Sequence, residues 1–195
     1  MKPLAVHDPL AEAIFWIAVG SWWLGEALLA IRTTLTSEGR RDPSFFLLSL
    51  ITIAAIFGGV HVANRPGAVA LPGPGWWPFA VGLAVLVAGV WLRVRAIMEL
   101  GRFFTYAVLV HEGQRVIDTG PYRLIRHPSY TGLLAGMLGM GLALGTWVSI
   151  AVCFLPPLMG FALRLLSEER VLAVELGEPY REYMLRTKRL VPGVW

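Results

Sequence analysis

Charged residues are scarce in this sequence, and their scarcity decides the class of protein. Only 15% of the 195 residues are Asp, Glu, Lys or Arg, whereas 56% are hydrophobic. A soluble domain typically carries about 25% charged residues. The composition excludes a disordered chain, a collagen and a nucleic-acid-binding module, despite a net charge of +4. It predicts an integral membrane protein with a single domain over residues 1–195.

Thiols and clustered histidines are also lacking. The one cysteine, Cys153, excludes an internal disulfide bond and a thiolate metal cluster. The histidines lie far apart in the sequence, at His7, His61, His111 and His127. No metal site is therefore predicted.

The long apolar segments predict an all-α polytopic membrane protein. Five spans are expected, at about 11–31, 45–63, 76–98, 129–145 and 147–166. The last two divide one uncharged run of 35 residues, 129–163. As a single helix this run would be roughly 50 Å long, which exceeds a hydrocarbon core of about 30 Å. We therefore predict a C-terminal helical hairpin that turns near Gly145, Thr146 and Trp147.

Two features of the first and third spans need interpretation. Arg93 and Arg95, at the end of the third span, are expected to extend toward the membrane surface. The first span could instead be a signal peptide, but Glu12 opens its apolar stretch and only Lys2 precedes it. We therefore interpret it as a membrane span.

The basic residues divide unequally between the two sides that five spans create. One side receives 15 Lys and Arg residues, in segments 32–44, 93–128 and 164–195, and the other receives only Lys2 and Arg65. The positive-inside rule places the N-terminus outside and the C-terminus in the cytoplasm. In a prokaryote, the membrane would be the plasma (inner) membrane.

The cytoplasmic loop 99–128 and the tail 167–195 are long enough to form a polar cap. Residues 126–132 (RHPSYTG) combine cations with the start of a predicted helix, an arrangement that favours anionic ligand groups. A basic, aromatic anchor at the membrane interface is the alternative. Arg164 and Glu168 share one helix face, either as a ligand contact at the membrane boundary or as an ordinary i,i+4 pair.

These motifs resemble those of a known family. Residues 126–132, preceded by Gly120-Pro121-Tyr122, strongly resemble the signature of the isoprenylcysteine carboxyl methyltransferases, which are related to the phospholipid methyltransferases. Glu168-Glu169 followed by residues 177–180 (GEPY) and Tyr183 extends the resemblance. It covers roughly residues 95 to 192, half of the chain.

The resemblance implies a membrane methyltransferase that uses S-adenosylmethionine and releases S-adenosylhomocysteine. By position, it assigns Arg164 to the substrate side as the catalytic residue. The cofactor contacts fall on Gln114, Arg115, Val116, Ile117, Tyr122, His127, Pro128, Ser129, Tyr130 and Glu168. Better-studied eukaryotic members have a His-Thr pair where this chain has Gln114-Arg115, so backbone contacts are expected there. His127, with Arg126 nearby, is expected to meet the cofactor carboxylate.

The expected acceptor is the carboxylate of a lipophilic, isoprenylcysteine-like molecule that enters from the bilayer. A carboxylate is ionised at neutral pH and needs no general base. The alternatives are a phospholipid amine or a small thiol, a non-enzymatic membrane protein such as an assembly factor or transporter subunit, and a membrane reductase with a related C-terminal fold. Membrane lipids are the expected surroundings, no nucleic-acid partner is expected, and the oligomeric state is not predicted.

Overall fold

The computed structural model describes residues 4–36, 43–107, 110 and 112–195. Within these residues the regular secondary structure is helical, as predicted, and the β structure is limited to isolated bridges. The helices are α1 (Leu4–His7), α2 (Pro9–Thr36), α3 (Pro43–Ala63), α4 (Trp76–Leu100), α5 (Pro128–Ala143), α6 (Trp147–Glu175) and α7 (Glu178–Arg186). Short 3₁₀ turns at Gly101–Phe103 and Gly120–Arg123 interrupt the segment between α4 and α5.

Four of the described helices are long and apolar enough to cross a membrane: α2, α3, α4 and α6. Helix α5 has 16 residues, or roughly 24 Å of helix. That length falls short of a hydrocarbon core of about 30 Å. The structure therefore confirms a polytopic helical protein, while the count of five spans stays a prediction.

The close contact between α4 and α5 depends on glycine. A Cβ atom on Gly89 would lie 2.5 Å from the Gly132 carbonyl oxygen, and one on Gly132 would lie 2.5 Å from the Gly89 carbonyl oxygen. Gly82 and Gly139 meet in the same way one helical segment further along. The two backbones touch directly, as small residues permit between membrane helices. The start of α5 is thereby held against the second half of α4.

The hairpin turns where the sequence predicts. Helix α5 ends at Ala143, and Gly145 adopts a left-handed backbone conformation with φ 72°. Thr146 then caps α6, because its hydroxyl accepts a hydrogen bond of 3.0 Å from the Ser149 amide. The bundle is closed at this end by backbone hydrogen bonds from the 64–75 connection, including Leu71 N to Gly145 O at 2.9 Å.

At the opposite end, the described residues of the 101–127 segment, α7 and the C-terminal tail pack together. The Arg126 amide donates to the Lys188 carbonyl at 2.7 Å, and the His127 amide donates to the Arg189 carbonyl at 3.0 Å. The Thr131 hydroxyl donates to the Leu190 carbonyl at 2.8 Å. These bonds attach the tail to the first turn of α5.

Candidate active site

A cavity of about 320 Å³ lies where the helix bundle meets the packed loop and tail. This volume falls at the lower end of the range of about 300 to 1,000 Å³ that is usual for small-molecule sites. Its walls come from α2 to α7 and from the segment between α4 and α5. The cavity therefore joins the interior of the bundle to the polar end of the molecule.

The structure brings ten of the eleven predicted site residues to this cavity. They are Gln114, Arg115, Val116, Ile117, Tyr122, His127, Ser129, Tyr130, Arg164 and Glu168. The exception is Pro128, which is fully buried in the first turn of α5 and does not line the cavity. Its fixed φ suits that first helical position, which gives it a structural place beside the site.

Tyr130 connects the two charged residues of α6. Its hydroxyl donates to Glu168 Oε2 at 2.5 Å and accepts from Arg164 Nε at 3.1 Å. Arg164 also donates to the Ser44 hydroxyl and to the Tyr106 carbonyl. The buried Arg164 guanidinium and the half-buried Glu168 carboxylate thus line one cavity, with the Tyr130 phenol between them.

Aromatic rings surround this polar group. The His127 and Tyr130 rings are stacked, with centroids 5.6 Å apart, and Phe161 packs against Tyr130 at 5.2 Å. Flat faces of this kind suit a purine ring or a sulfonium group.

Tyr122 is positioned by helix α7. The Tyr183 hydroxyl donates to the Tyr122 carbonyl at 2.6 Å, and Gly177, with φ 66°, precedes α7. Burial raises the pKa of the Tyr122 phenol well above its ordinary value, and the nearby Glu168 carboxylate raises it further. Tyr122 therefore stays neutral at pH 7. Tyr183 thus attaches the backbone of Tyr122 to α7, beside the cavity that both residues line.

Arg126 forms a different contact from the one that the sequence suggested. Its Nε donates to Glu169 Oε1 at 2.7 Å, and its Nη1 donates to the carbonyls of Met184 and Thr187. His127 Nε2 lies 3.3 Å from the same Glu169 oxygen. The Arg126 guanidinium therefore binds the tail to α6. Arg126 and His127 both line the cavity, and their contact with a ligand carboxylate stays a prediction.

The expectation that Arg93 extends toward the membrane surface is wrong. Its side chain is buried and forms an ion pair with Glu26 of α2, and both residues line the cavity. Tyr106 joins them, since its hydroxyl donates to Glu26 Oε2 at 2.6 Å. Glu26 could have been suspected from the sequence, because an ionisable residue deep inside a predicted span usually has a partner.

The part of the cavity inside the bundle is largely apolar. Its walls include Trp22, Trp23, Phe45, Leu48, Leu133 and Phe161. Polar and apolar ligand groups could therefore be held within one continuous space. Within the described residues, no three His, Cys, Asp or Glu side chains come together in a way that could hold a metal ion.

Comparison with known proteins agrees with this geometry. The family model described as phospholipid methyltransferase matches residues 77–178, just over half of the chain. The chain belongs to the phospholipid methyltransferase family. The matched segment of this family member runs from α4 to the start of α7 and includes every predicted site residue.

Curated relatives carry the name that the sequence motifs suggested. The chain is 33% identical over 121 residues to protein-S-isoprenylcysteine O-methyltransferase B of Arabidopsis thaliana, with 61% of each chain covered. It is 30% identical over 112 residues to the Schizosaccharomyces pombe protein-S-isoprenylcysteine O-methyltransferase. This match covers 56% of this chain and 48% of the relative. The chain thus spans about half to three fifths of the length of these relatives.

A solved structure shares the fold of nearly the whole chain. The eukaryotic intramembrane Ras methyltransferase, isoprenylcysteine carboxyl methyltransferase, superposes with a TM-score of 0.68 at 20% identity. The match covers 98% of this chain and 70% of that protein. The family resemblance and the helical membrane fold are confirmed.

Proposed function

We propose that the protein is an integral membrane methyltransferase that esterifies the carboxylate of a lipophilic, isoprenylcysteine-like acceptor, with S-adenosylmethionine as the methyl donor. The observation that carries the proposal is the cavity itself. It brings Glu168, Tyr130 and Arg164 into one space with apolar side chains of the helices, in a chain of this family.

The polar and aromatic residues that line the cavity fit the methyl donor. Glu168 can accept hydrogen bonds from an ammonium group or from a ribose hydroxyl, and Tyr122 and Tyr130 offer aromatic faces. Val116 and Ile117 add apolar surface and backbone groups from the half-buried loop. When bound, S-adenosylmethionine supplies an activated methyl group on a sulfonium, and its transfer to a carboxylate oxygen requires no proton transfer.

Arg164 is placed to orient the acceptor. It lies one helical turn from Glu168, and one of its partners is the neutral hydroxyl of Ser44. A carboxylate is a stronger acceptor for a guanidinium than a hydroxyl is, so an acceptor carboxylate can take this place. Catalysis would then depend on holding two reactants in line and on excluding water.

The apolar lining of the cavity indicates a lipophilic acceptor. A molecule that places its carboxylate at Arg164 would extend its hydrocarbon toward Phe45, Leu48 and Phe161, which line the same space. Apolar walls of this kind keep such a chain out of contact with water, as the bilayer does. The excess of basic residues on the loops at the Arg164 end supports a cytoplasmic position for this end, with the C-terminus inside.

A phospholipid amine is the second candidate acceptor, because the matched family model carries the phospholipid methyltransferase description. An amine must lose a proton before it can attack, whereas a carboxylate need not. The bond formed in the product therefore separates the two functions.

The test is methyl transfer by the purified chain in detergent with tritiated S-adenosylmethionine. The acceptors are N-acetyl-S-farnesylcysteine, farnesyl thiol and phosphatidylethanolamine, and the control is the methyl ester of the first compound. We expect label only on the free carboxylate, in a form that alkali releases as methanol. Alkali-stable label on phosphatidylethanolamine would favour the second candidate, and no transfer by a protein that binds S-adenosylhomocysteine would refute the proposed function.

A further inference from the structure

A buried ion pair connects the first long helix to the candidate active site. Glu26 belongs to α2, outside the segment 77–178 that the family model matches, whereas Arg93 lies inside it. Arg93 Nε and Nη2 both donate to the Glu26 carboxylate, the latter at 2.6 Å. The two side chains are 4% and 18% exposed, so water contributes little to their solvation.

The Glu26 carboxylate is fully occupied. It accepts two hydrogen bonds from Arg93, one from Trp22 Nε1 at 3.1 Å and one from the Tyr106 hydroxyl at 2.6 Å. A carboxylate has about four acceptor positions, and all of them are used within the protein. Glu26 is therefore suited to hold other groups in place rather than to bind a ligand or to accept a proton.

One route leads from this ion pair to the acceptor side of the cavity. The hydroxyl of Tyr106 is held by Glu26, while the backbone carbonyl of the same residue accepts a hydrogen bond from Arg164 Nη2. The ring of Tyr106 is further fixed against Phe45, with centroids 4.4 Å apart. Movement of Tyr106 would move an acceptor that orients Arg164.

A second route leads to the side that we assign to the methyl donor. Arg93 Nη1 donates to the Ser129 hydroxyl at 2.7 Å and lies 3.3 Å from the Ser129 carbonyl. A hydroxyl oxygen that accepts from a guanidinium keeps its own O–H for another acceptor. Ser129 lines the cavity beside Tyr130, which bonds to both Glu168 and Arg164. Because Ser129 and Tyr130 are adjacent in the first turn of α5, this route reaches α6 through the backbone of α5 and the Tyr130 hydroxyl.

We propose that the Glu26–Arg93 ion pair is a positioning device. Glu26 orients Arg164 through Tyr106, and the Arg93 guanidinium orients Ser129. The inference rests on the proposed function, because it assigns a role in methyl transfer to both routes. The competing account is that the pair only joins α2 to α4. A buried pair alone is weak evidence either for stability or for function, so the two routes must be tested separately.

The acceptor-side route is tested with Tyr106→Phe, which keeps the ion pair and the backbone carbonyl but removes the hydroxyl. Turnover of N-acetyl-S-farnesylcysteine per S-adenosylhomocysteine-binding site should fall about tenfold, the scale of one hydrogen bond to a charged group. Glu26→Gln should cause at least as large a loss, because it also loosens Arg93, and the double variant should be no worse than Glu26→Gln alone, because the Tyr106 route is already interrupted in that single variant. Exposed Glu12 on the same helix, changed to Gln, is the control and should keep wild-type turnover.

The donor-side route has a readout that does not depend on activity. Arg93→Lys keeps the charge opposite Glu26 but lacks the planar fork whose separate nitrogens bond Glu26 and Ser129. Calorimetry should show weaker binding of S-adenosylhomocysteine, by about tenfold. Arg95→Met, at an exposed position of the same helix, should bind normally.

The outcomes separate this inference from the proposed function. A wild-type protein that methylates none of the acceptors would refute the proposed function, and this inference would fall with it. An active wild type with unchanged turnover in Tyr106→Phe, or with additive losses in the double variant, would refute the positioning role alone. A lower unfolding temperature with wild-type turnover per binding site would show that the pair only joins helices. If Glu26→Gln does not fold, Tyr106→Phe still decides, because its ion pair is intact.

Discussion

Replacement of Arg164 by lysine tests the centre of the proposed site. Three different nitrogens of the guanidinium have partners: Nε donates to the Tyr130 hydroxyl, Nη1 to the Ser44 hydroxyl and Nη2 to the Tyr106 carbonyl. Lysine has a single nitrogen and lacks the planar fork that holds a carboxylate with two parallel bonds. Arg164→Lys therefore loses at least one of the charged hydrogen bonds that Arg164 forms with these partners or would form with the acceptor carboxylate.

The magnitude follows from that loss. A hydrogen bond to a charged group contributes about 1.5–3 kcal/mol, which corresponds to a decrease in turnover of about ten- to 150-fold. Binding of S-adenosylhomocysteine should change by less than about tenfold, since the Glu168 carboxylate and the aromatic rings remain. Arg164→Ala should abolish turnover while the remaining folded molecules still bind the product.

The assay is turnover of N-acetyl-S-farnesylcysteine divided by the number of binding sites titrated with S-adenosylhomocysteine. Arg170→Lys is the matched control, because Arg170 is an exposed arginine on the same helix. If Arg164 were only an anchor at the membrane interface, lysine would replace it fully. Wild-type turnover per site in Arg164→Lys would therefore refute the catalytic assignment.

Three further predictions concern the cofactor, the packing and the topology. Glu168→Ala should weaken S-adenosylhomocysteine binding by about 1.5–3 kcal/mol in calorimetry, and unchanged affinity would mean that Glu168 has only its internal bond to Tyr130. Gly132→Ala should lower the free energy of unfolding by about 1–3 kcal/mol in detergent, because the added Cβ meets backbone atoms, whereas Gly20→Ala, which meets nothing within 4 Å, should not. Reporter fusions after Leu71 and at the C-terminus should lie outside and inside, and a C-terminus outside would exclude the five-span arrangement.

Local patterns were sufficient to predict much of the fold. Uncharged length predicted the helices, and the excess of that length over one crossing predicted the hairpin, whose turn the structure places at Gly145 and Thr146. The motif around His127 predicted which residues gather at one cavity. In each case, the relevant residues are close together in the sequence or belong to a family signature that can be recognised from the sequence.

Pairings between distant residues were not predictable in the same way. Arg93 stands at the end of a span, where an arginine commonly extends toward water, and its partner Glu26 precedes it by 67 residues. Arg126 likewise pairs with Glu169 and with tail carbonyls 58 and 61 residues away. Each pair forms because the helices meet in space, which the hydropathy of a single segment does not encode.

The attachment of the tail to α5 has a consequence for biogenesis. The carbonyls of Thr187, Lys188, Arg189 and Leu190 pair with groups in residues 126–131, and a polypeptide is synthesised from its N-terminus. The cavity wall beside His127 is therefore completed only once residues 187–190 have been synthesised. A chain truncated shortly before residue 187 would lack these four carbonyls, and this wall would be incomplete.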